Sequence, residues 1–301
     1  MIWPPTPDRH VVAPDGVRIA VFQARPPVAH DGRPVGADGP SEGGLGRPIV
    51  LVHGATADHT TWRTSGPALA ARHPLHAIDR RGRGASGDGD PAVPYDIELE
   101  FDDLAAVVDA VAGETGGPVD VVGHSYGGRI ALGAALRTAN VRRLVCYEGA
   151  PPAEGRGYQS EDAAMVRRLA ALVDAGERDE ALATFMREIV GMPEADLAAF
   201  RADPIWPRRT AAIHTTIREL RAETSPAGSL AALGAVRQPV LQILGGASGA
   251  PFAAATAALD ARLRNGRVVT IDGARHAAHH SHPEPFVAAV EAFLGERDMA
   301  D

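Results

Sequence analysis

The sequence contains no lysine, and all 30 of its basic residues are arginine. This absence excludes chemistry that depends on a lysine amine: a Schiff-base lysine, a lysine general base and a G-K-S/T phosphate-binding loop. The single cysteine, Cys146, has no second cysteine with which to form a disulfide. No run of about 18 apolar residues predicts a membrane span. The first residues lack the basic and apolar regions of a signal peptide, so we expect a reducing, cytoplasmic setting.

Positive charge is also scarce relative to negative charge. The net charge is −8 at pH 7, and the isoelectric point is about 5.8. The arginines form no basic patch of the kind that binds a nucleic-acid backbone. We therefore expect a small-molecule substrate as the partner, and neither a nucleic acid nor a membrane. Assembly into a homo-oligomer is compatible with the sequence.

Short apolar runs alternate with stretches whose apolar residues fall at helical spacing. Continuous apolar runs are typical of strands buried on both faces of a sheet. The predicted strands are residues 9–12, 17–24, 49–52, 75–78, 118–122, 143–147, 239–244 and 267–271. The predicted helices between or after them are residues 61–72, 97–111, 252–263 and 284–294, with one more helix after residue 128. This alternation predicts an α/β fold with a mostly parallel, doubly wound sheet.

The alternation is interrupted in the middle of the chain, where the apolar pattern is helical only. Residues 151–235 contain three groups of apolar side chains at helical spacing and no strand-like run. We therefore predict one core domain, residues 1–150 and 236–301, that carries an all-helical cap insertion, residues 151–235. A separate stretch rich in glycine and proline, residues 26–48, is predicted to be an irregular surface loop.

A serine lies on a predicted strand-to-helix turn in the run Gly123-His124-Ser125-Tyr126-Gly127. A serine on so tight a bend needs neighbours without side chains two residues before it and two residues after it. The G-x-S-x-G pattern in this context is typical of a nucleophile elbow. Because an unperturbed hydroxyl hardly ionises at neutral pH, such a serine also needs a base within hydrogen-bonding distance.

Four motifs follow one another in a recognisable order. They are H-G at residues 53–54 after one strand, D-R-R-G-R-G-A-S at 79–86 after the next, the elbow at 123–127, and G-A-R-H at 273–276 with P-E at 283–284. With these motifs, the chain resembles the α/β-hydrolase superfamily over nearly its whole length, with a helical cap inserted after the sixth core strand. The resemblance implies a serine hydrolase that needs neither a metal nor an organic cofactor.

The resemblance also implies roles for individual residues. Ser125 would be the nucleophile and His276 the base that takes and returns its proton. Most of the family carry the acid after the seventh strand, but residues 245–250 contain no carboxylate. Some members carry it at the end of the sixth strand, where this chain has Glu148. Glu148 is therefore predicted to orient His276, and Asp272 or a water molecule is the alternative.

The oxyanion hole should consist of backbone N–H groups, and the resemblance points to Ala55 and Tyr126. Two other patterns bear on cofactor and metal binding. The G-x-G-x-x-G run at residues 82–87 is followed by D-G-D-P instead of the helix that dinucleotide binding requires. The spacing of His279, His280 and His282 would suit a metal, but no H-E-x-x-H motif or cysteine pair accompanies them.

The activity expected from these residues is hydrolysis of a small or medium acyl substrate, a carboxylic ester or a lactone, through an acyl-enzyme. The same three residues would also serve a carbon-carbon bond hydrolase, a perhydrolase related to cofactor-free haloperoxidases, or an acyltransferase. A different class of protein, a ligand receptor with little turnover, would be expected to have a damaged triad. Serine rather than aspartate at the elbow disfavours epoxide hydrolase and haloalkane dehalogenase activities.

Overall fold

Eight strands form a single sheet in the computed structural model, which describes residues 3–25, 46–153, 163–222 and 225–296. Within these residues the strand order is β1-β2-β4-β3-β5-β6-β7-β8. The strands are β1 (Arg9–Val12), β2 (Arg18–Ala24), β3 (Ile49–Val52), β4 (Leu75–Ile78), β5 (Val119–His124), β6 (Val141–Tyr147), β7 (Val240–Gly245) and β8 (Gly266–Ile271). Strands β1 and β2 pair antiparallel, β2 pairs antiparallel with β4, and the other pairs are parallel. The predicted mostly parallel sheet is confirmed.

Helices cover both faces of this sheet. The helices are α1 (Gly66–Ala70), α2 (Ile97–Thr115), α3 (Tyr126–Ala134), α4 (Ala163–Asp174), α5 (Arg178–Thr184), α6 (Glu194–Arg201), α7 (Trp206–Arg221), α8 (Leu230–Leu233), α9 (Ala250–Asp260), α10 (Ala278–Ser281) and α11 (Pro283–Leu294). Helices α2, α3, α8 and α9 contribute to the apolar layer on one face, and α1 and α11 to the layer on the other. The doubly wound arrangement is therefore confirmed as well. None of the described helices combines the length and apolar character needed to cross a lipid bilayer.

The local sequence explains where the longest helix begins and ends. The Asp96 side chain accepts a hydrogen bond from the Glu98 N–H at 3.0 Å and so caps the start of α2. Gly116, with φ of 80°, ends the helix in the left-handed conformation that glycine adopts without strain. Between these ends, side chains such as Leu104 and Val108 are fully buried. Each such burial contributes about 1.5–3 kcal/mol of favourable hydrophobic free energy.

One helix prediction needs correction. The predicted helix 61–72 is two pieces, a 3₁₀ helix His59–Arg63 and α1, because Pro67 has no backbone N–H to continue the hydrogen bonding of the first piece. Helix α6 lies within the stretch predicted to be helical but outside its three groups of apolar side chains, because Leu197 is the one buried side chain of this helix. Most of the predicted loop 26–48, namely residues 26–45, lies outside the described residues.

The chain between β6 and β7 contains helices α4 to α8 and no strand among its described residues. Helices α4 to α7 and the π-helical turn Phe185–Ile189 have an apolar core of their own, which includes Leu169, Leu182 and Ile213. Ala55, in the loop after β3, packs against this core. We refer to residues 163–222 as the helical segment. It falls inside the predicted cap insertion, whose residues 154–162 and 223–224 lie outside the described part of the chain.

Candidate active site

Ser125 connects the end of β5 to the start of α3 through a sharply bent backbone. Its φ of 53° and ψ of −127° lie in a region that residues with side chains rarely adopt. The backbone at Gly123 and Gly127 is packed so closely that an added Cβ would lie 2.5 Å from the Gly127 oxygen and 2.4 Å from the His53 oxygen, respectively. The glycines at both ends of the motif are therefore required by close backbone approach, and the bend holds Ser125 at the tip of the strand.

Glu148 and His276 contact each other directly. The Glu148 Oε2 atom lies 2.5 Å from His276 Nδ1. The other oxygen, Oε1, accepts a hydrogen bond from the Gly245 N–H at 2.7 Å. Because a carboxylate can only accept, His276 Nδ1 carries the proton in this contact and Nε2 of the neutral ring is left as an acceptor. The carboxylate that the sequence predicts as the acid thus lies in hydrogen-bonding contact with the ring of the predicted base.

A tyrosine hydroxyl fixes the loop that carries His276. The Tyr147 hydroxyl accepts a hydrogen bond from the Ala278 N–H at 2.7 Å and donates one to the Arg275 oxygen. These two backbone partners flank His276 on both sides in the sequence. Tyr147 was not identified from the sequence, where it is simply the last apolar residue of a predicted strand.

Two further side chains hold His276 from other directions. The His124 Nε2–H donates a hydrogen bond to the His276 backbone oxygen at 2.7 Å. The Phe252 ring stacks on the His276 ring with centroids 4.4 Å apart and an interplanar angle of 26°. Burial, followed by the nearby His276, lowers the pKa of His124 well below its ordinary value, so the His124 ring is neutral. The sequence contained no signal for either contact.

Ser125 and His276 line the same two cavities. The smaller cavity has a volume of about 70 Å³ and is also lined by Ala55, Tyr126 and Glu148. The larger cavity has a volume of about 710 Å³ and extends between Ala55 and the helical segment. The predicted nucleophile and the predicted base therefore border the same two cavities.

The two residues predicted to form the oxyanion hole, Ala55 and Tyr126, both line the smaller cavity. Tyr126 is the first residue of α3, and the N–H groups in the first turn of a helix have no carbonyl partner within that helix. Ala55 precedes Thr56, whose φ is 60°. Among the described non-glycine residues, positive φ occurs at Thr56, Ser125 and Glu148. Each of these residues follows the end of a parallel strand, so the strained backbone is concentrated at the site.

The histidines that follow His276 face hydroxyl groups. The His279 Nε2 atom lies 3.3 Å from Thr61 Oγ1, and the His280 Nδ1 atom lies 3.0 Å from Thr64 Oγ1. Burial lowers the pKa of His279 well below its ordinary value and lowers the pKa of His280 to about 3. Both rings are therefore neutral and act as polar walls of the larger cavity, which they line.

A second cluster of potential metal ligands lies in the core, where Asp58, His59 and Asp79 bring their ligand atoms within 4.8 Å of one another. The carboxylate oxygens of Asp58 and Asp79 already accept hydrogen bonds from other groups of the protein. Asp79 Oδ1 accepts from His59 Nδ1 at 2.8 Å and Oδ2 accepts from the Ala85 N–H at 2.8 Å. Asp58 Oδ2 accepts from Arg208 Nε at 2.7 Å. These contacts attach the loops after β3 and β4 to one another.

A buried charge network connects the sheet to the helical segment. Arg80 donates from Nε and Nη2 to the two oxygens of Glu100, both at 2.7 Å. Arg80 and Arg83 also donate to Glu219 of α7. Burial opposes ionisation of Glu100, but the charge and hydrogen bonds of Arg80 lower its pKa to about 2. The network places α7 directly against the loop that follows β4.

Comparison with known proteins agrees with this architecture. A family model described as the alpha/beta hydrolase family matches residues 49–289. A pimeloyl-(acyl-carrier protein) methyl ester esterase from Neisseria meningitidis is 28% identical over 249 residues, 82% of this chain and 76% of that protein. An N-formylmaleamate deformylase from Pseudomonas putida is 29% identical over 261 residues, 84% of this chain and 90% of that protein.

A solved structure extends the comparison to three dimensions. The alpha/beta hydrolase from Sphaerobacter thermophilus superimposes with a TM-score of 0.74 and 28% sequence identity, and the alignment covers 95% of this chain and 100% of that one. The family model covers the strands that carry Ser125, Glu148 and His276 at their ends. The chain belongs to the alpha/beta hydrolase family.

Proposed function

We propose that this protein is a serine hydrolase that cleaves a carboxylic ester or a lactone through an acyl-enzyme. The contact of 2.5 Å between Glu148 and His276 is the observation that carries this proposal. It supplies an oriented imidazole beside the cavity that Ser125 also lines. A hydroxyl on a strained turn, an oriented base and a neighbouring substrate cavity are the parts that acyl transfer requires.

The reaction follows from these positions. Ser125 Oγ attacks the acyl carbon while its proton passes to His276 Nε2, and Glu148 stabilises the imidazolium that forms. The N–H groups of Ala55 and Tyr126 receive the negative charge that develops on the acyl oxygen. The imidazolium then protonates the leaving alcohol, and a water molecule repeats the sequence to release the acid.

The helical segment acts as a cap in this proposal. It contributes Phe185 and Val190 to both cavities, so the substrate would lie between the sheet and these apolar side chains. A volume of about 710 Å³ is within the range of pockets that enclose most of a small organic ligand. We therefore expect a small or medium acyl substrate that is held largely out of water.

The name of one relative supports the cleavage of a second type of bond. The Pseudomonas putida relative is named as an N-formylmaleamate deformylase, and removal of an N-formyl group breaks a carbon-nitrogen bond. The same residues would serve this reaction, with an amide nitrogen in place of the alcohol oxygen as the leaving group. The Neisseria meningitidis relative is named as a methyl ester esterase, and this name favours the ester as the first substrate class to test.

Covalent labelling tests the proposal directly. A fluorophosphonate should attach to Ser125, as mapped by peptide mass spectrometry, and Ser125→Ala should abolish turnover of p-nitrophenyl acetate. Ser248 is the matched control, because it is a second serine in the wall of the larger cavity, so Ser248→Ala should remain active and be labelled. Labelling at a residue other than Ser125, or full turnover by Ser125→Ala, would contradict the proposal.

A further inference from the structure

Arg209 lies in the wall of the larger cavity, which Ser125 and His276 also line. It belongs to the first turns of α7. Its Nη1 and Nη2 atoms donate to the hydroxyls of Thr56 and Thr61 at 3.1 and 3.2 Å. Its Nε atom is buried and has no hydrogen-bond partner among the described residues. A guanidinium has five N–H donors, so these partners leave donors unused.

The carboxylates near Arg209 are already paired with other arginines. Asp203 accepts from Arg63 at 2.9 Å, and Asp58 accepts from Arg208 at 2.7 Å. In the described part of the chain, no carboxylate oxygen forms an ion pair with Arg209 within 4.0 Å. Arg63, Asp196, Asp203 and Arg275 also line the larger cavity. Of the three arginines Arg63, Arg208 and Arg209, Arg209 is the one without a carboxylate partner among the described residues.

The electrostatic effect of this charge reaches the rings around it. After burial, the charge of Arg209 is one of the causes that lower the pKa values of His124, His279 and His280. Burial lowers the pKa of Arg209 itself to about 10, so the guanidinium stays protonated at neutral pH. A partly buried charge without a counter-ion costs free energy, and a bound anion would reduce that cost.

We propose that Arg209 binds a carboxylate of the substrate, so that the preferred substrates are acyl compounds with an acid group close to the bond that is cleaved. The inference rests on the proposed function and adds the substrate class. Thr56 follows Ala55 in the chain, so the guanidinium lies within about 10 Å of the Ala55 N–H by chain geometry. A short spacer therefore separates the two carbonyl groups of the substrate.

The same contacts give Arg209 a structural role that the test has to separate from binding. Its hydrogen bond to Thr56 attaches α7 to the loop that carries Ala55. A purely structural role would affect acidic and neutral substrates equally. A binding role affects the acidic substrate selectively, because a neutral analogue makes no ion pair.

The first experiment uses the unmodified protein and two matched substrate pairs. Monomethyl adipate and the methyl ester of adipic acid monoamide place the charge on the acyl side. The pair 4-acetoxybutanoate and 4-acetoxybutanamide places it on the leaving group. In at least one pair, kcat/KM for the acid should exceed that for the amide by roughly tenfold to hundredfold, as expected for a hydrogen bond between charged groups. Equal values in both pairs, or a preference for both amides, would overturn the inference.

The second experiment changes the charge. In Arg209→Met the acid-to-amide ratio of kcat/KM should fall to about one, whatever loss both substrates share through the Thr56 contact, and Arg209→Lys should keep part of the ratio. Arg218→Met is the matched control, because it removes an arginine from the same helix whose guanidinium is paired with Asp88 instead of Asp58 or Asp203. This control should keep the full ratio. An equal loss on both substrates in Arg209→Met would identify Arg209 as structural and overturn the inference.

The two proposals fail in distinguishable ways. Turnover of the amide esters with labelling of Ser125, but without a preference for acids, overturns the carboxylate inference alone. Absence of turnover on every ester together with absence of labelling overturns the proposed function. If Arg209→Met does not fold, inhibition of the unmodified protein by adipate and by adipamide tests the carboxylate inference instead. Adipate should compete with the amide ester at a concentration at which adipamide does not, and equal inhibition by the two would overturn the inference.

Discussion

The Glu148 carboxylate and the His276 ring meet at 2.5 Å although the residues are 128 positions apart in the chain. Glu148 follows β6, while the neighbouring strand β7 ends at Gly245, whose N–H binds the other oxygen of the same carboxylate. The two adjacent strand ends therefore contribute different groups to the contact with His276. One supplies the acid, and the other supplies the donor that holds it in place.

Replacement of this acid by its amide tests its role. Glu148→Gln keeps the size of the side chain but removes the charge that stabilises the imidazolium and fixes its tautomer. We expect kcat for p-nitrophenyl acetate to fall about 10³–10⁴-fold with little change in KM. Steady-state kinetics, with circular dichroism to confirm folding, provides the measurement.

Asp272 is the matched control because it is the alternative acid and lies in the exposed turn after β8. Asp272→Asn should stay within about twofold of the unmodified protein, as expected for a surface substitution. If Asp272→Asn lost activity and Glu148→Gln kept it, the assignment of the acid would be wrong.

Removal of one oxygen atom from Tyr147 tests how the histidine loop is held. Tyr147→Phe leaves the buried Ala278 N–H without its acceptor at 2.7 Å and should destabilise the loop by about 1–3 kcal/mol. We expect slower labelling of Ser125 by a fluorophosphonate and a lower kcat, with KM nearly unchanged. Tyr95→Phe also removes a hydroxyl, one that donates to Glu100 at 2.6 Å, and it should lower the melting temperature without a comparable loss of kcat. Equal kinetic losses in both variants would argue against a specific effect on His276.

The sequence predicted the fold because the fold depends on local patterns. Apolar runs such as residues 49–52 and the amphipathic stretch 97–111 indicate their structure over a few residues, and their alternation predicts a mostly parallel sheet covered on both faces. Ser125 and His276 are predicted from motifs, and Glu148 from its position at the end of the sixth predicted strand. The structure brings Glu148 and His276 into contact and places Ser125 in the same cavities. Their action as a triad stays a prediction, as does the division into core and cap.

The remaining contacts could not be predicted from the sequence, because they join residues that are far apart in the chain. Glu219 meets Arg80 across 139 positions, and Arg209 meets Thr56 across 153. Neither pairing leaves a periodic signal, since one charged residue on an amphipathic helix looks like any other solvent-facing residue. Tyr147 was hidden for a related reason, because its hydroxyl contacts a loop that begins 128 residues later.

The dependence of stability on pH should reveal the protonation of His280. Burial and then the charges of Arg63 and Arg209 lower the pKa of this ring in the folded protein to about 3, against 6.5 in the unfolded chain, and Asp203 opposes the shift. The unfolded chain therefore binds the proton more readily below pH 6.5, so stability falls as the pH drops from there toward 3. At pH 5 this effect should reach roughly 1–2 kcal/mol.

His280→Asn removes the titration, so the loss of melting temperature between pH 7 and pH 5 should be smaller in the variant than in the unmodified protein. Thr64→Val is the control, because it removes the hydroxyl 3.0 Å from His280 Nδ1 and leaves the ring able to titrate. It should shift the melting temperature by a similar amount at both pH values. A pH slope unchanged by His280→Asn would show that this ring does not contribute.

Glu219 should contribute to stability more than any exposed acid of the helical segment. It is buried and accepts hydrogen bonds from both Arg80 and Arg83. Glu219→Gln leaves two buried guanidinium groups with one carboxylate, that of Glu100, and should lower the free energy of unfolding by about 3–5 kcal/mol in urea. Glu194→Gln, at an exposed pair with Arg187, should change it little because solvent screens that interaction.

A second substitution separates charge imbalance from lost packing in the Glu219 network. If the cost of Glu219→Gln comes from an uncompensated positive charge, Arg83→Met should restore the balance between Arg80 and Glu100. The double variant Arg83→Met/Glu219→Gln should then be more stable than Glu219→Gln alone, and a double-mutant cycle would give a coupling energy of about 1–3 kcal/mol. Additive losses would show instead that the two side chains stabilise α7 through independent contacts.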